Sequence, residues 1–188
     1  MKIITAPNPI LRKSSVPIAK IDNQTKGLVN QLINSLIDGG IGLAAPQIGQ
    51  NKTIFIINLP QKKPQIFINP VIVSHSPKKQ YFTITDAEED NHHHGQVQPF
   101  LEGCLSLPKF YGTVRRWPKI SAQWLDLDGK KRQKNLTGLG AIVFQHELDH
   151  LKGKLFPERI IKQDGQLYRE EKNGQLKEIS PQDIFNRL

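Results

Sequence analysis

The chain has 188 residues, of which 26 are lysine or arginine and 17 are aspartate or glutamate, so its formal net charge is +9. This length is typical of one domain, and a single cysteine, Cys104, excludes an internal disulfide framework and fits a reducing cytosol. No apolar run reaches the roughly 18 residues of a membrane span, and the N-terminus lacks the apolar core of a signal peptide. We therefore expect a soluble, basic, cytoplasmic protein that forms a single domain over residues 1–188.

The first part of the chain predicts an irregular arm, a helix and several strands. Residues 5–19 contain three prolines, which are typical of an irregular surface segment. Asp22 is placed to cap a helix that runs to about Asp38, with apolar residues at helical spacing. A small-residue loop at 41–49 then precedes β-type runs at 53–59, at 66–73 with an interruption at Pro70, and at 81–85.

Residues 76–99 are predicted to form a polar loop insertion, because acidic residues and three consecutive histidines, His92 to His94, dominate its second half. Three adjacent histidines can capture metal ions, but this composition favours a solvated loop.

The second half predicts a three-strand segment, a buried helix and a hairpin-like tail. Strands are expected at 113–119 and 120–127, and the Asp128-Gly129 turn returns the chain into a strand at 130–136. Thr137 is expected to cap a helix from Gly138 to Leu151. The tail, at about 160–188, contains a predicted hairpin (166–171 and 175–179) and a helical turn at Ser180-Pro181. Mixed strands with one buried helix predict an α+β fold.

The strongest chemical signal is the run His146-Glu147-Leu148-Asp149-His150. Residues four apart project from one face of a helix, so His146 and His150 can share one metal ion. Glu147 is then placed to reach a water molecule at that ion without being a ligand. Exposed or capped histidines are the alternative, but the apolar residues before His146 predict a buried helix, where polar side chains need partners.

A catalytic zinc-type site needs a third protein ligand, and two candidates remain open from the residues alone. Cys104 lies upstream, next to Gly103, which lets the backbone approach closely, and Glu170 or Glu171 lies downstream. Cys104 is also compatible with an inert buried residue. A cysteine–histidine nucleophile pair is less favoured, because both histidines are already assigned to a metal.

Three segments together resemble the peptide deformylase family. Residues 40–47 match its Gly-x-Gly-x-Ala-Ala-x-Gln loop, residues 102–106 match its Glu-Gly-Cys-x-Ser strand, and residues 145–153 match its Gln-His-Glu-x-Asp-His-Leu-x-Gly helix. The resemblance extends over roughly residues 3–156 and implies antiparallel sheets around a central metal-binding helix.

This resemblance implies hydrolytic removal of the formyl group from the N-terminal formyl-methionine of newly made polypeptides. Cys104, His146 and His150 would hold one divalent metal, Fe(II) in the cell, with zinc or nickel able to substitute. Glu147 would transfer the proton, and the Gln47 amide and the Leu105 backbone N–H would stabilise the oxyanion.

The resemblance also implies the surroundings of the site. Glu102 would pair with Arg116 and orient a metal ligand, with Arg115 as a less favoured substitute. Backbone near Gly42 and Gly103 would pair with the substrate peptide by β-addition. The pocket for the methionine side chain would be formed by Ile41, Phe100, Leu139, Ile142 and Val143.

Two other functions compete with this interpretation. A small HExxH metalloendopeptidase would use His146, His150 and Glu170 as ligands. An RNA-binding protein is suggested by the net charge and by basic residues at 130–134, but no nucleic-acid motif accompanies them. We therefore expect no sequence-specific nucleic-acid binding and no membrane association, and at most proximity to the ribosome.

Overall fold

In a computed structural model that describes residues 2–36, 40–84 and 98–187, the chain forms two antiparallel sheets and three α-helices. The helices are α1 (Asn23–Ser35), α2 (Gly138–Leu151) and α3 (Phe156–Gln163), and short 3₁₀ helices cover Pro9–Arg12, Ala45–Ile48 and Pro181–Arg187. One sheet has the order β1-β2-β3-β6-β7 and the other has the order β4-β5-β8-β9. The strands are β1 (Gly42–Ala44), β2 (Ile54–Ile57), β3 (Gln65–His75), β4 (Glu102–Cys104), β5 (Leu107–Gly112), β6 (Lys119–Leu125), β7 (Lys131–Thr137), β8 (Leu167–Glu170) and β9 (Leu176–Ile179).

Helix α1 begins after Asp22, as predicted, and ends at Ser35, before the predicted end at about Asp38. The Asp22 side chain accepts a hydrogen bond from the Thr25 backbone N–H at 3.0 Å, which satisfies an otherwise unpaired donor of the first turn. Leu36 leaves the helical conformation (ψ 99°), so α1 does not reach Asp38; residues 37–39 lie outside the described part of the chain.

Strand β3 passes through Pro70, where the sequence predicted an interruption. The register against β6 shifts between Ile68 and Val71, and Asn69 adopts a positive φ of 49°. The Asn69 side chain bonds both the N–H and the C=O of Ile18, at 2.9 and 2.8 Å. This bulge accommodates a residue that has no N–H to donate, so the strand continues.

Two predicted strands were wrong. Residues 81–84 form no strand: Thr83 makes an isolated bridge with Pro99, the Ile84 N–H donates to the Gln98 carbonyl at 3.0 Å, and residue 85 lies outside the described ranges. The strand predicted at 113–119 is a connection, and β5 comes before it. The backbone of that connection bonds outside any ladder: the Arg115 N–H donates to the Gln163 side chain at 2.7 Å, and the Arg116 N–H donates to the Gln80 carbonyl at 2.9 Å.

The C-terminal part contains the predicted hairpin, β8–β9, which turns through Gly174 (φ 80°), and the predicted helical turn from Pro181. The sequence did not predict α3, in which Ile160 packs into a cluster with Leu11 and Leu155. Because β8 pairs with β5, the tail extends the second sheet.

Helix α2 has the predicted bounds and is the central buried element. Its residues from Ala141 to Gln145 and from Glu147 to Leu151 are buried, and it packs on the first sheet through a cluster that includes Phe144, Phe55 and Phe67. The Thr137 side chain makes no capping hydrogen bond, since Thr137 also ends β7, opposite Lys119. The helix stops at Gly153, whose φ of 64° favours glycine.

Antiparallel sheets around a buried helix confirm the α+β prediction. Residues 85–97, which contain most of the predicted loop insertion and all three consecutive histidines, lie outside the described ranges. The assignment of residues 1–188 to one catalytic domain stays a prediction. None of the helices that the structure describes is long and apolar enough to cross a bilayer.

Candidate active site

Helix α2 carries the two histidines of the motif on one face. The imidazole rings of His146 and His150 have centroids 5.1 Å apart and meet edge to face, as the four-residue spacing predicts. Glu147 directly follows His146 in the sequence and is buried on the same helix.

Strand β4 brings the chain's single cysteine against this histidine pair. The register against β5 shifts between Gly103 and Cys104, and the Cys104 Sγ lies 3.2 Å from His150 Nε2. The ligand atoms of Cys104, His146 and His150 all lie within 4.8 Å of one another. One thiol and two imidazoles are a donor set that suits zinc or another divalent transition metal and leaves an open coordination position.

The electrostatics of this cluster also suit a cation. Burial alone would raise the pKa of the Cys104 thiol, but the charges and hydrogen bonds of His150 and His146 outweigh it and lower that pKa to about 5. Cysteine binds metal ions as the thiolate, so the cluster presents the ligand in the form that binds.

The buried Glu147 has a carboxylate oxygen that accepts no hydrogen bond from the described residues. Its Oε2 has no partner among the described residues. Burial raises the pKa of Glu147 to about 7, although the neighbouring His146 and His150 charges lower it. A carboxylate with a pKa near neutrality and a free oxygen is suited to accept and return a proton at physiological pH.

Gly42 is required beside this carboxylate. A Cβ built on Gly42 would collide with Glu147 Oε1 and would lie 2.8 Å from Val143 Cγ1. Glycine at this position therefore lets the β1 backbone pass directly over the reactive groups, with the cavity on its open side.

The loop after β1 fixes the Gln47 amide. Gln47 is 1% exposed, and its Oε1 accepts a hydrogen bond from the Ala44 backbone N–H at 2.8 Å. Its Nε2 therefore faces the cysteine strand, 3.3 Å from Ser106 Oγ and 3.7 Å from Cys104 Sγ. This orientation leaves an amide donor beside the three candidate ligands.

A buried charge network holds the imidazole of His146. The Arg116 guanidinium donates to both carboxylate oxygens of Glu102, at 2.7 and 2.8 Å, and to Asp149 Oδ2 at 2.5 Å. Glu102 Oε2 also lies 2.9 Å from His146 Nδ1. Burial would raise the pKa of Glu102, but Arg116 and His146 lower it to about 2, so the carboxylate is ionised and holds the ring of His146 in place. The predicted contact of Glu102 with Arg116, not Arg115, is therefore present.

A cavity of about 550 Å³ opens onto these groups. It is lined by most of the residues that the sequence assigned to the site: Ile41, Gly42, Gln47, Phe100, Glu102, Gly103, Cys104, Leu105, Ile142, Val143, His146 and Glu147. Leu139 does not line it, contrary to the predicted pocket. Leu139 instead lines a neighbouring cavity and packs against the cluster of Phe82 and Ile142.

Tyr111 and Glu170 also line this cavity, and the sequence reasoning did not assign them to a substrate pocket. The Tyr111 hydroxyl donates to Glu170 Oε2 at 3.1 Å. Glu170 was the alternative third ligand, but His146 and His150 group with Cys104 and not with Glu170. The pairing of β5 with β8 brings Glu170 to the cavity, and no local sequence pattern indicates such a long-range pairing.

Comparisons with known proteins agree with this geometry. A family model described as polypeptide deformylase matches residues 1–166. A peptide deformylase from Novosphingobium aromaticivorans is 34% identical over 183 residues (85% of this chain, 88% of the relative), and peptide deformylase 2 from Vibrio vulnificus is 34% identical and covers 94% of this chain and 97% of its own. A crystal structure of peptide deformylase from Legionella pneumophila superposes with a TM-score of 0.71 at 34% identity, covering 84% of each chain.

Proposed function

Because this chain belongs to the polypeptide deformylase family, we propose that it hydrolyses the formamide of N-formyl-methionyl polypeptides as they are made, releasing formate and a free amino terminus. The observation that carries this function is the grouping of Cys104 with His146 and His150, in which Cys104 and His146 line an open cavity together with Glu147. A cysteine-containing ligand set of this kind also disfavours the metalloendopeptidase alternative, which requires Glu170.

In the proposed mechanism, Cys104, His146 and His150 would hold one divalent metal. That ion would supply Lewis-acid chemistry for the formyl carbonyl and would lower the pKa of a water molecule toward about 7. Glu147 accepts a proton from the water as its oxygen bonds to the formyl carbon, and then returns that proton to the amine nitrogen as the carbonyl re-forms and the C–N bond breaks. The Glu102–Arg116 pair keeps the His146 ring in its orientation throughout.

The carbonyl oxygen and the peptide are held by neighbouring groups. We assign the Gln47 amide and the Leu105 backbone N–H as donors to the developing oxyanion, a role in which the loss of one donor typically costs about 10²–10³-fold in kcat. The methionine side chain enters the apolar part of the cavity, and the peptide pairs with the backbone at Gly42 and Gly103. The apolar wall consists of Ile41, Phe100, Ile142 and Val143.

Fe(II) is the metal that we propose for the cell, with zinc or nickel able to occupy the same ligands. Thiolate and imidazole donors bind zinc more strongly than ferrous iron, so metal availability decides the occupant. Oxidation of Cys104 would remove a ligand. We accordingly propose that the protein acts in the reducing cytoplasm. Its net positive charge is compatible with activity near the ribosome.

The function is tested by formate release from a short formyl-methionyl peptide, with protein purified without oxygen and its metal content measured. We expect formate release that follows iron content, together with intact internal peptide bonds. Internal cleavage without formate release would instead identify an endopeptidase, and full activity with zinc alone would refute the assignment of iron.

The ligand set is tested by Cys104→Ala and Glu170→Gln, which both alter the same cavity. We expect Cys104→Ala to lose stoichiometric metal binding, because a catalytic site of this type needs three protein ligands. Glu170→Gln should retain about one metal ion per chain, because Glu170 bonds Tyr111 instead. Metal analysis after gel filtration measures both variants, and the reverse pattern would support the endopeptidase.

A further inference from the structure

A second, smaller cavity opens on a different face of α2. It has a volume of about 160 Å³ and is defined here as the basic cavity. The catalytic cavity is lined by Ile142, Val143, His146 and Glu147 of this helix, whereas the basic cavity is lined by Gln145, Leu148, Asp149 and Lys152. The two sites therefore share the helix but no residue of it.

The lining of the basic cavity is strongly cationic. Five positively charged side chains and one carboxylate line it: Lys79, Arg115, Arg116, Lys152, Arg159 and Asp149. The carboxylate is already paired with two of these cations, because Asp149 accepts hydrogen bonds from both Arg116 and Arg159. An excess of positive charge at a small polar concavity attracts an anion.

Several of these cations have no carboxylate partner. Over residues 2–36, 40–84 and 98–187, no ion pair involves Lys79, Arg115 or Lys152. Lys79 is positioned instead by Trp117, with its Nζ 4.3 Å from the ring centroid, and His75 stacks on the same ring at 3.8 Å. Burial and then the charges of Arg159 and Arg116 lower the pKa of Lys79, which is consistent with a local excess of positive charge.

Buried, hydrogen-bonded side chains form one wall of the basic cavity. Arg116 is 2% exposed and Gln145 is 4% exposed, and the Gln145 amide bonds both the N–H and the C=O of Trp117, at 3.0 and 2.9 Å. The volume corresponds to about five water molecules at roughly 30 Å³ each, which is room for one tetrahedral oxyanion and a few waters.

We propose that the basic cavity binds a phosphate group, held by Lys79, Lys152 and the free guanidinium edges of Arg115 and Arg159. Arginine and lysine donors around a compact cavity suit the oxyanion of a phosphate group, since hydrogen bonds between ionised partners are the strong ones. The phosphate is either free in solution or part of an RNA backbone.

The test is calorimetric titration of the metal-loaded full chain with inorganic phosphate at constant ionic strength. We expect saturable binding to the wild type and binding at least about tenfold weaker to the double variant Lys79→Gln/Lys152→Gln, which loses two charge-assisted contacts. Phosphate that reaches a metal in the catalytic cavity would bind both proteins alike. Unchanged formate release by the variant shows that its fold and catalytic cavity are intact.

The matched control is Lys131→Gln/Lys134→Gln, which removes the same charge from exposed positions on β7. This control should bind phosphate as the wild type does. Equal weakening of the two double variants, equal binding by all three proteins, or no saturable binding to the wild type would overturn the proposal. Competition by an oligouridylate without terminal phosphates would assign the bound group to an RNA backbone, whereas phosphate binding without such competition would assign it to free phosphate.

Discussion

Glu147→Gln is expected to reduce formate release by about 10²–10⁴-fold in kcat/KM, the usual contribution of a positioned general acid–base group. The substitution keeps the shape of the side chain and removes only its capacity to hold and return a proton. Glu147 Oε2 has no hydrogen-bond partner among the described residues, so no structural contact is lost with it. The rate is measured with a formyl-methionyl peptide at saturating metal.

Two measurements separate this catalytic role from a structural one. The variant should retain its metal and should unfold at a temperature no lower than the wild type, because replacing a buried carboxyl group whose pKa is raised to about 7 with a neutral amide relieves desolvation. Glu170→Gln, which alters a carboxylate of the same cavity, should stay within a few-fold of wild-type activity. A Glu147→Gln protein that keeps more than about a tenth of the activity would exclude the proposed proton transfer.

Local patterns predicted the elements whose signal lies within a few consecutive residues. Helix α2 followed from apolar and histidine spacing, and the β8–β9 turn followed from Asn173-Gly174, because glycine there adopts φ 80° without steric cost. The metal-ligand candidates on α2 came from the same helical periodicity, since residues four apart must share a face.

The incorrect or missed predictions concern residues whose structural partners are remote in the sequence. Residues 113–119 are rich enough in β-formers to predict a strand, but the Arg116 backbone makes only an isolated bridge, with Gln80, and its guanidinium bonds Glu102 and Asp149, both remote in sequence. Tyr111 and Glu170 reach the cavity only because β8 adds to the second sheet beside β5. A single sequence contains no local signal for such a pairing, whereas the three short motifs indicated Cys104 through family resemblance.

Arg116→Met is expected to destabilise the protein by about 3–5 kcal/mol, the usual cost of removing one partner from a buried ion pair. Glu102 would keep only His146, while Asp149 would keep Arg159. Urea unfolding of the metal-loaded protein at pH 7 measures the difference. Arg115→Met is the matched control, because the guanidinium of the exposed Arg115 bonds a backbone carbonyl, that of Gln163, and lies over the Tyr81 ring, so its loss should cost less than about 1 kcal/mol.

The pH dependence of the stability lost in Arg116→Met tests whether the unpaired carboxylate of Glu102 causes that loss. In the wild type the pKa of Glu102 is about 2, below the value of about 4.3 expected for the unfolded chain, so its stabilising contribution is complete above pH 4.3 and is lost only as the pH falls toward 2. Without Arg116, we expect burial to outweigh the remaining effect of His146 and to raise the pKa of Glu102 above its unfolded value, so that protonation favours the folded state. The deficit of Arg116→Met should therefore shrink between pH 7 and pH 5, where wild-type Glu102 does not titrate. A deficit of the same size at both values would place the cost of the substitution in lost packing and not in an unpaired buried charge.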